Sequence, residues 1–434
     1  MGGMTPRGGR LAVIAGLAAC APLALAGCGT AHGAGGGDTS ATKFGFTRYA
    51  NAVEYASVEY PGSEPYVAPG EGLRQLVPLG DCALGIGTYN NGYHYANVNW
   101  TGSKGCTSFA ITPRPAADKE DDKPYSMRTG WTGGGLAADV VVPWTGGALL
   151  GVGGHLTLRA PGGKQTTLAE LPLTFRLRPE EETSDDASVN TAVKVGDRLL
   201  IGGGEYVHQV ETPYVLASDD AGRTVRRVPL PTVDGLQPPT PVGGFAVNGT
   251  QVVAVALKAS NAYDYHTPDG TLPFWYSADS GTHWTAGRVT GTPAGTVVTN
   301  VLHASGRWYA VGGYAAPGGV SATLPLVLTS TDGRHWSRAD TAAMGSGEVV
   351  AATVDGNGHP VLVGSAHQPK PKPEARSVAC GSVWIGDGTA DTAKWRRGGL
   401  GCSENPPTTV VTLAGGRILI AGNADLWATA APRG

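Results

Sequence analysis

Four stretches of the sequence concentrate side chains that hold sugars or peptides. Residues 263–266 read Tyr263-Asp264-Tyr265-His266, and Asp269 follows closely. Tyr93-His94-Tyr95 forms a second group and Glu205, Tyr206 and His208 a third; Arg376 lies just beyond the alternating Lys/Pro run 369–373. Aromatic faces cover apolar sugar or peptide surface, while carboxylate, imidazole and guanidinium groups fix its orientation. Glu205, Asp264 and Asp269 are also the candidates for acid and base in glycoside hydrolysis, which needs two carboxylates about 5–9.5 Å apart. The acidic runs 118–122 and 180–186 are read as solvated loop rather than cation sites. No CxxC spacing occurs, so no metal and no cofactor are expected.

The elements that must carry these groups form a repeat. An apolar run, a short turn with glycine and a second apolar run, often ending in glycine, recur around Gly80, Gly147, Gly196, Gly249, Gly306, Gly358 and Gly416. Glycine supplies the positive φ of tight hairpin turns, so each instance reads as two buried strands joined by a hairpin. A second signal follows the hairpin. Ser277-Ala-Asp279-Ser-Gly281-Thr-His-Trp284 is a full copy, Ser330-Thr-Asp332-Gly333-Arg-His-Trp336 is shorter by one, and Ser218-Asp-Asp220-Ala-Gly222-Arg-Thr-Val225 has Val for Trp. A worn version runs from Trp384 through Asp387 and Gly388 to Trp395.

This second pattern resembles the Asp-box, or BNR repeat, of the sialidase-type propellers. The resemblance implies an all-β fold, a β-propeller of seven four-stranded blades, in which the Asp-box is structural: Asp accepts backbone N–H groups and Trp packs beneath the turn. It does not extend to catalysis. The Phe-Arg-Ile-Pro-like motif of the family has no counterpart beyond the fragment Arg114-Pro115, and no catalytic residue carries over. The last unit has strands at 408–413, 417–421 and 426–430 and then stops. Residues 44–60 are expected to supply its missing outer strand and so close the ring by pairing the two ends of the chain. Up-and-down strands would put the glycine hairpins and Asp-box turns on one face. The long, aromatic-rich connections would lie on the other.

The first residues carry Arg7 and Arg10, then an uncharged apolar stretch from 11 to 26, the pattern of an export signal. It ends in Leu25-Ala26-Gly27-Cys28, which resembles the lipobox of bacterial lipoproteins. That resemblance implies a signal peptide at 1–27, lipidation of Cys28 and an extracytoplasmic protein anchored to the cell membrane. The Gly-rich stretch 28–43 reads as a flexible tether and 44–434 as the propeller. Net charge −3 and a pI of about 6.4 argue against a nucleic-acid partner. Cys82, Cys106, Cys380 and Cys402 remain, an even number that permits three connectivities; the local pairs Cys82–Cys106 and Cys380–Cys402 are favoured because each staples one repeat. The expected protein is a monomer that binds a glycan, a peptide or a cell-envelope protein. A sialidase-like glycoside hydrolase with non-standard catalytic residues and a structural scaffold are the alternatives.

Overall fold

The computed structural model describes residues 39–55, 72–90, 95–112, 140–144, 147–152, 154–160, 164–173, 186–207, 210–233, 241–256, 271–316, 323–367, 378–389 and 391–430. They form seven antiparallel sheets. Blade 1 comprises Gly72–Leu79, Cys82–Asn90, Tyr95–Gly102 and Phe109–Ile111; blade 2 comprises Val140–Trp144, Gly147–Val152, His155–Arg159 and Gln165–Glu170. Blade 3 is built from Asp186–Val195, Arg198–Val207, Val210–Ser218 and Arg226–Val228, and blade 4 from Val242–Asn248, Gln251–Ala256, Leu272–Ser277 and Thr285–Val289. Blade 5 holds Val297–Ala304, Arg307–Ala315, Thr323–Ser330 and Ser337–Arg338, and blade 6 holds Glu348–Val354, Pro360–His367, Ala379–Ile385 and Arg396–Ser403. Blade 7 takes Pro407–Thr412, Ile418–Gly422 and Leu426–Thr429 from the C-terminal end and Phe46–Tyr49 from the N-terminal end. The first strand of every blade touches that of the next, blade 7 against blade 1 included, so the sheets close a seven-bladed β-propeller.

Each blade is covered on both faces by its neighbours. Its inner strands are therefore apolar on consecutive residues rather than alternate ones. All six residues of Leu272–Ser277 are buried, and Val361-Leu362-Val363 and Leu419-Ile420-Ala421 are fully inaccessible. Seams between blades hold the core, as where Leu200 and Val215 of blade 3 meet Val242, Val252 and Trp275 of blade 4.

The ring closes through one N-terminal strap. Thr39–Ser40 adds in parallel to the outermost strand of blade 6, opposite Gly398 and Gly399. After a 3₁₀ turn at Ala41–Phe44, Phe46–Tyr49 pairs antiparallel with Leu426–Thr429. Val53 then bridges to Phe109 in the outermost strand of blade 1, and the Glu54 carboxylate accepts the Ile111 N–H at 2.8 Å. Closure by residues within 44–60 is thus as the sequence suggested. Thr39–Ser40, ahead of residue 44, also belongs to a sheet.

The turns between third and fourth strands of blades 3, 4 and 5 share one construction. In blade 4, Ser277 Oγ accepts the Gly281 N–H (2.9 Å) and donates to Asp279 Oδ1 (2.8 Å). That oxygen also accepts the N–H groups of Thr282 and His283, and Trp284 Nε1 donates back to Gly281 O (3.1 Å). Blade 5 repeats the set with Ser330, Asp332, Gly333 and Trp336, and blade 3 repeats the Ser218–Asp220–Gly222 part with Val225 in place of the indole. Each such turn is also a wedge against the preceding blade. A Cβ on Gly281 would fall 2.6 Å from Leu200 of blade 3, and one on Gly333 2.9 Å from Val253 of blade 4. Both glycines have positive φ, so conformation and space each require them. Arg198 of blade 3 reaches across the same seam to Ser280 O (3.1 Å) and to Thr282 Oγ1. In blade 1, Ser103 Oγ accepts from Thr107 and Ser108, and the Cys82–Cys106 disulfide ties this turn to the start of the second strand.

The second disulfide, Cys380–Cys402, joins directly paired residues of blade 6, so both local pairings are formed. Gly147 departs from its expected role. It does not sit in the hairpin turn but opens the second strand of blade 2 opposite Trp144, where a Cβ would meet Arg159 O at 2.0 Å.

Trp284→Ala is expected to destabilise the fold by about 3–5 kcal/mol, measured by chemical denaturation, because the ring is buried against Phe245. A second prediction concerns pH. The Thr224 hydroxyl and N–H hold the Asp220 carboxyl down to about 2. Burial raises Asp279, but the His283 N–H and imidazole outweigh it and hold the carboxyl well below the usual range; the same His335 groups do so for Asp332. Carboxyls with depressed folded pKa stabilise above their unfolded value of about 3.9, and that contribution is lost as pH falls below it. The melting temperature should fall steeply between about pH 4 and pH 2. An Asp220→Asn/Asp279→Asn/Asp332→Asn variant should start lower at pH 7 and fall less over that range.

Candidate functional site

Up-and-down connectivity places the turns between first and second and between third and fourth strands on one face. The connections between second and third strands and between blades lie on the other, which is here called the mouth. Hairpins on the first face are short: Leu79 and Cys82, Val195 and Arg198, Asn248 and Gln251, and Ala304 and Arg307 each close a two-residue turn. Between blades 5 and 6 and between blades 4 and 5 the mouth-side connections are fully described, at 339–347 and 290–296. Thr341 Oγ1 donates to Pro325 O, which folds the first connection back onto blade 5, and Thr296 Oγ1 donates to Pro293 O within the second.

At the mouth end, the innermost strand of six blades carries an extra residue at the same place. The inserted positions are Arg74, Asn190, Gly243, Thr299, Val350 and Thr408, in blades 1, 3, 4, 5, 6 and 7. Blade 2 pairs without a shift. Bulges of this kind turn a side chain out of the pleat and recur beside binding sites. Glycines in the second strand make room for them. A Cβ on Gly312 would lie 1.9 Å from Val297 O, and one on Gly364 2.0 Å from Glu348 O. In blades 5 and 6 the glycine that ends the second apolar run is therefore the sequence signature of the bulge, whereas blade 4 bulges opposite Val255 and Ala256 without one.

Side chains at the bulges lock neighbouring blades. Thr299 Oγ1 donates to Val349 O (2.7 Å) and Asn300 Nδ2 to Val350 O (3.1 Å), joining blade 5 to blade 6. Thr408 Oγ1 donates to Leu73 O (2.7 Å), joining blade 7 to blade 1. Asn190 Nδ2 reaches Val242 O at 3.5 Å between blades 3 and 4. The mouth is thus a rigid ring edge, with exposed Arg74 and half-buried Gln75, Thr191 and Glu348 around it.

Among the described residues, the carboxylates of Glu205, Asp425 and Glu54 are committed to the scaffold. Glu205 is not in a loop. It lies within the second strand of blade 3, opposite Thr212, and is 4% exposed. Its Oε1 accepts from Arg227 Nη2 at 2.8 Å, while the same guanidinium lies 5.4 Å from the Tyr214 ring. Asp425, 5% exposed, accepts from Arg48 Nε (3.0 Å) and Nη2 (2.5 Å) and from the Asn51 N–H (3.0 Å). Glu54 caps Ile111. Tyr95 and Tyr206 belong to strands rather than connections. Tyr93, His94, His208, Tyr263, Asp264, Tyr265, His266, Asp269 and Arg376 lie outside the described residues, as does Cys28. Among the described residues no cluster of three or more His, Cys, Asp or Glu side chains suits a metal ion.

No family model matches the chain, and no curated protein matches its sequence. Solved structures resemble it in fold. The extracellular domain of BT4673 from B. thetaiotaomicron has a TM-score of 0.44 at 10% identity over 84% of this chain, which spans only 39% of that one. The α-L-arabinofuranosidase Arb93A from Fusarium graminearum gives 0.36 at 12% identity, covering 53% of this chain and 73% of that one. YjhT gives 0.40 at 12% identity, covering 66% and 91%. All three scores are low, and the propeller assignment rests on the sheet order and the ring contacts.

Glu205→Gln is expected to lower the melting temperature, since it leaves Arg227 without its buried counter-charge. Any ligand affinity of the refolded variant should stay within about twofold of the parent, measured by calorimetry below the transition. A selective loss of binding or turnover at unchanged stability would instead make Glu205 a site residue.

Proposed function

We propose that this protein is an extracytoplasmic lipoprotein, anchored through Cys28, that presents the mouth of a sialidase-type propeller to a glycan, a peptide or a cell-envelope protein. The observation that carries the reading is the shared placement of the inner-strand bulges and the long inter-strand connections at one end of the ring. Rigid scaffold edges with variable connections above them are where propeller-like folds mount recognition. The Ser-x-Asp-x-Gly turns at the opposite end have the hydrogen bonding that an Asp-box requires, which supports naming them BNR repeats. Their carboxylates serve the turns rather than a ligand. Two disulfides favour a compartment outside the reducing cytoplasm.

Binding is preferred to hydrolysis because Glu205, one of three candidate carboxylates, is held by Arg227 in a strand. Asp264 and Asp269 remain as the pair a hydrolase would need. The test is a glycan and peptide array screened with the full chain, run beside fluorogenic glycoside assays. Replacement of residues 263–266 by Gly-Ser-Gly-Ser should abolish binding without changing the melting temperature. Retained binding after that replacement, together with loss of binding on Arg223→Ala at the opposite face, would overturn the assignment of the mouth. Turnover abolished by Asp264→Asn or Asp269→Asn would replace the binding reading by the hydrolase.

A further inference from the structure

The outermost strands of the propeller carry charge of one sign. They contain Arg48, Arg226, Arg227, Arg288, Arg338, Arg396 and Arg397, against a single acidic residue, Glu170. Over the whole chain the acidic residues outnumber the basic ones, 35 to 32. Charge on an edge strand guards against edge-to-edge pairing, but either sign would serve that purpose. Three of these arginines are neutralised locally: Arg48 by Asp425, Arg226 by Asp219 and Arg227 by Glu205. Arg288, Arg338, Arg396 and Arg397 have no acidic partner among the described residues, and they fall on consecutive blades 4, 5 and 6. Arg288, Arg338 and Arg396 are exposed; Arg397 is half-buried, bonded to Ser382 Oγ at 3.1 Å.

The N-terminal strap adds to the same sector. Lys43 is exposed in the 3₁₀ turn beside Phe44, whose ring lies 5.3 Å beneath the Arg396 guanidinium. Thr39 pairs with Gly398, two residues from Arg396. Acidic groups of these blades sit mainly in the turns at one end. Asp279, Asp332 and Asp387 are taken up by turn hydrogen bonds, Asp391 faces Lys394 at 3.7 Å, and Asp340 accepts the Ala342 N–H.

We propose that the rim of blades 4–6 is a docking surface for an anionic phospholipid bilayer, which holds the propeller edge-on to the membrane. The proposal rests on the anchored reading above and deepens it. Ten residues separate Cys28 from Thr39, and a Gly-rich chain of that length has a root-mean-square reach of about 15–20 Å. A lipid on Cys28 therefore keeps the blade 6 rim within a few Debye lengths of the headgroups, where each unpaired cation is attracted to an anionic leaflet. The axis of the ring then runs along the membrane, and the mouth faces sideways, open to a ligand.

The test uses the full chain in lipidated form and as Cys28→Ser, with vesicles of phosphatidylcholine alone or containing one-quarter phosphatidylglycerol. The Cys28→Ser protein should sediment with the anionic vesicles, release at high salt and ignore the neutral ones. Arg288→Ser/Arg338→Ser/Arg396→Ser should weaken this association by about tenfold or more at an unchanged melting temperature. Arg223→Ser, in a turn off the rim, should not weaken it. Equal binding to both vesicle types, or a triple variant that binds as the parent does, would overturn the proposal. So would competition by inorganic polyphosphate that displaces the protein from vesicles at stoichiometric phosphate. The anchor is read separately, from the mass of a diacylglyceryl group on Cys28; its absence would refute the anchor and leave the vesicle result standing.

Discussion

Everything in this propeller depends on closing the ring, and one interaction does so. Blade 7 has three strands from the C-terminal end of the chain and takes its fourth from Phe46–Tyr49. Asp425 fixes the junction: nearly buried, it accepts two bonds from Arg48 and one from the Asn51 N–H. An open ring would expose the edge of Leu426–Thr429 and strip blades 6 and 1 of the strap they share. Because Thr39–Ser40 and Val53 extend the strap to those flanking blades, the closure spans three blades rather than one.

The closed ring has two unlike ends. At one end the Ser-Asp-Gly turns wedge blades 3, 4 and 5 against their predecessors, with the polar groups used up internally and the indoles of Trp284 and Trp336 packed below. At the other the inner strands bulge, and Thr299, Asn300 and Thr408 spend their side chains on seams between blades. One end is committed to stability. The other is a ring edge cross-linked between neighbouring blades, which the proposed reading makes the recognition surface.

Much of the fold was legible in the sequence because its devices are local. A glycine turn, a Ser-x-Asp-x-Gly box and a tryptophan are each set by a few adjacent residues, so their spacing reported the blades and the missing strand of blade 7. The disulfides were legible for the same reason, each closing one repeat. Non-local features were harder to read. Glu205 looks like a loop carboxylate beside Tyr206 and His208, and only the partnership with Arg227, twenty-two residues on, makes it a scaffold group. The bulges of blades 5 and 6 were present as glycines ending the second apolar runs, a signal whose meaning depends on a carbonyl in another strand. Blade 1 disguised its turn, since Gly105 and Cys106 follow Ser103 where the box has Asp and Gly. Gly147 misled because its glycine answers a close approach rather than a turn. The residues richest in binding chemistry, 263–266, lie outside the described residues.

The strap is therefore both the closing strand and, on the anchored reading, the segment that bears the tether. Native-state hydrogen exchange tests its role most directly. Amides of Phe46–Tyr49 and Leu426–Thr429 should exchange only with global unfolding, at the same free energy as the central strands of blades 3–5. Exchange of Phe46–Tyr49 through a low-energy opening, with blades 3–5 still protected, would contradict closure by the strap as the interaction on which the rest of the fold depends.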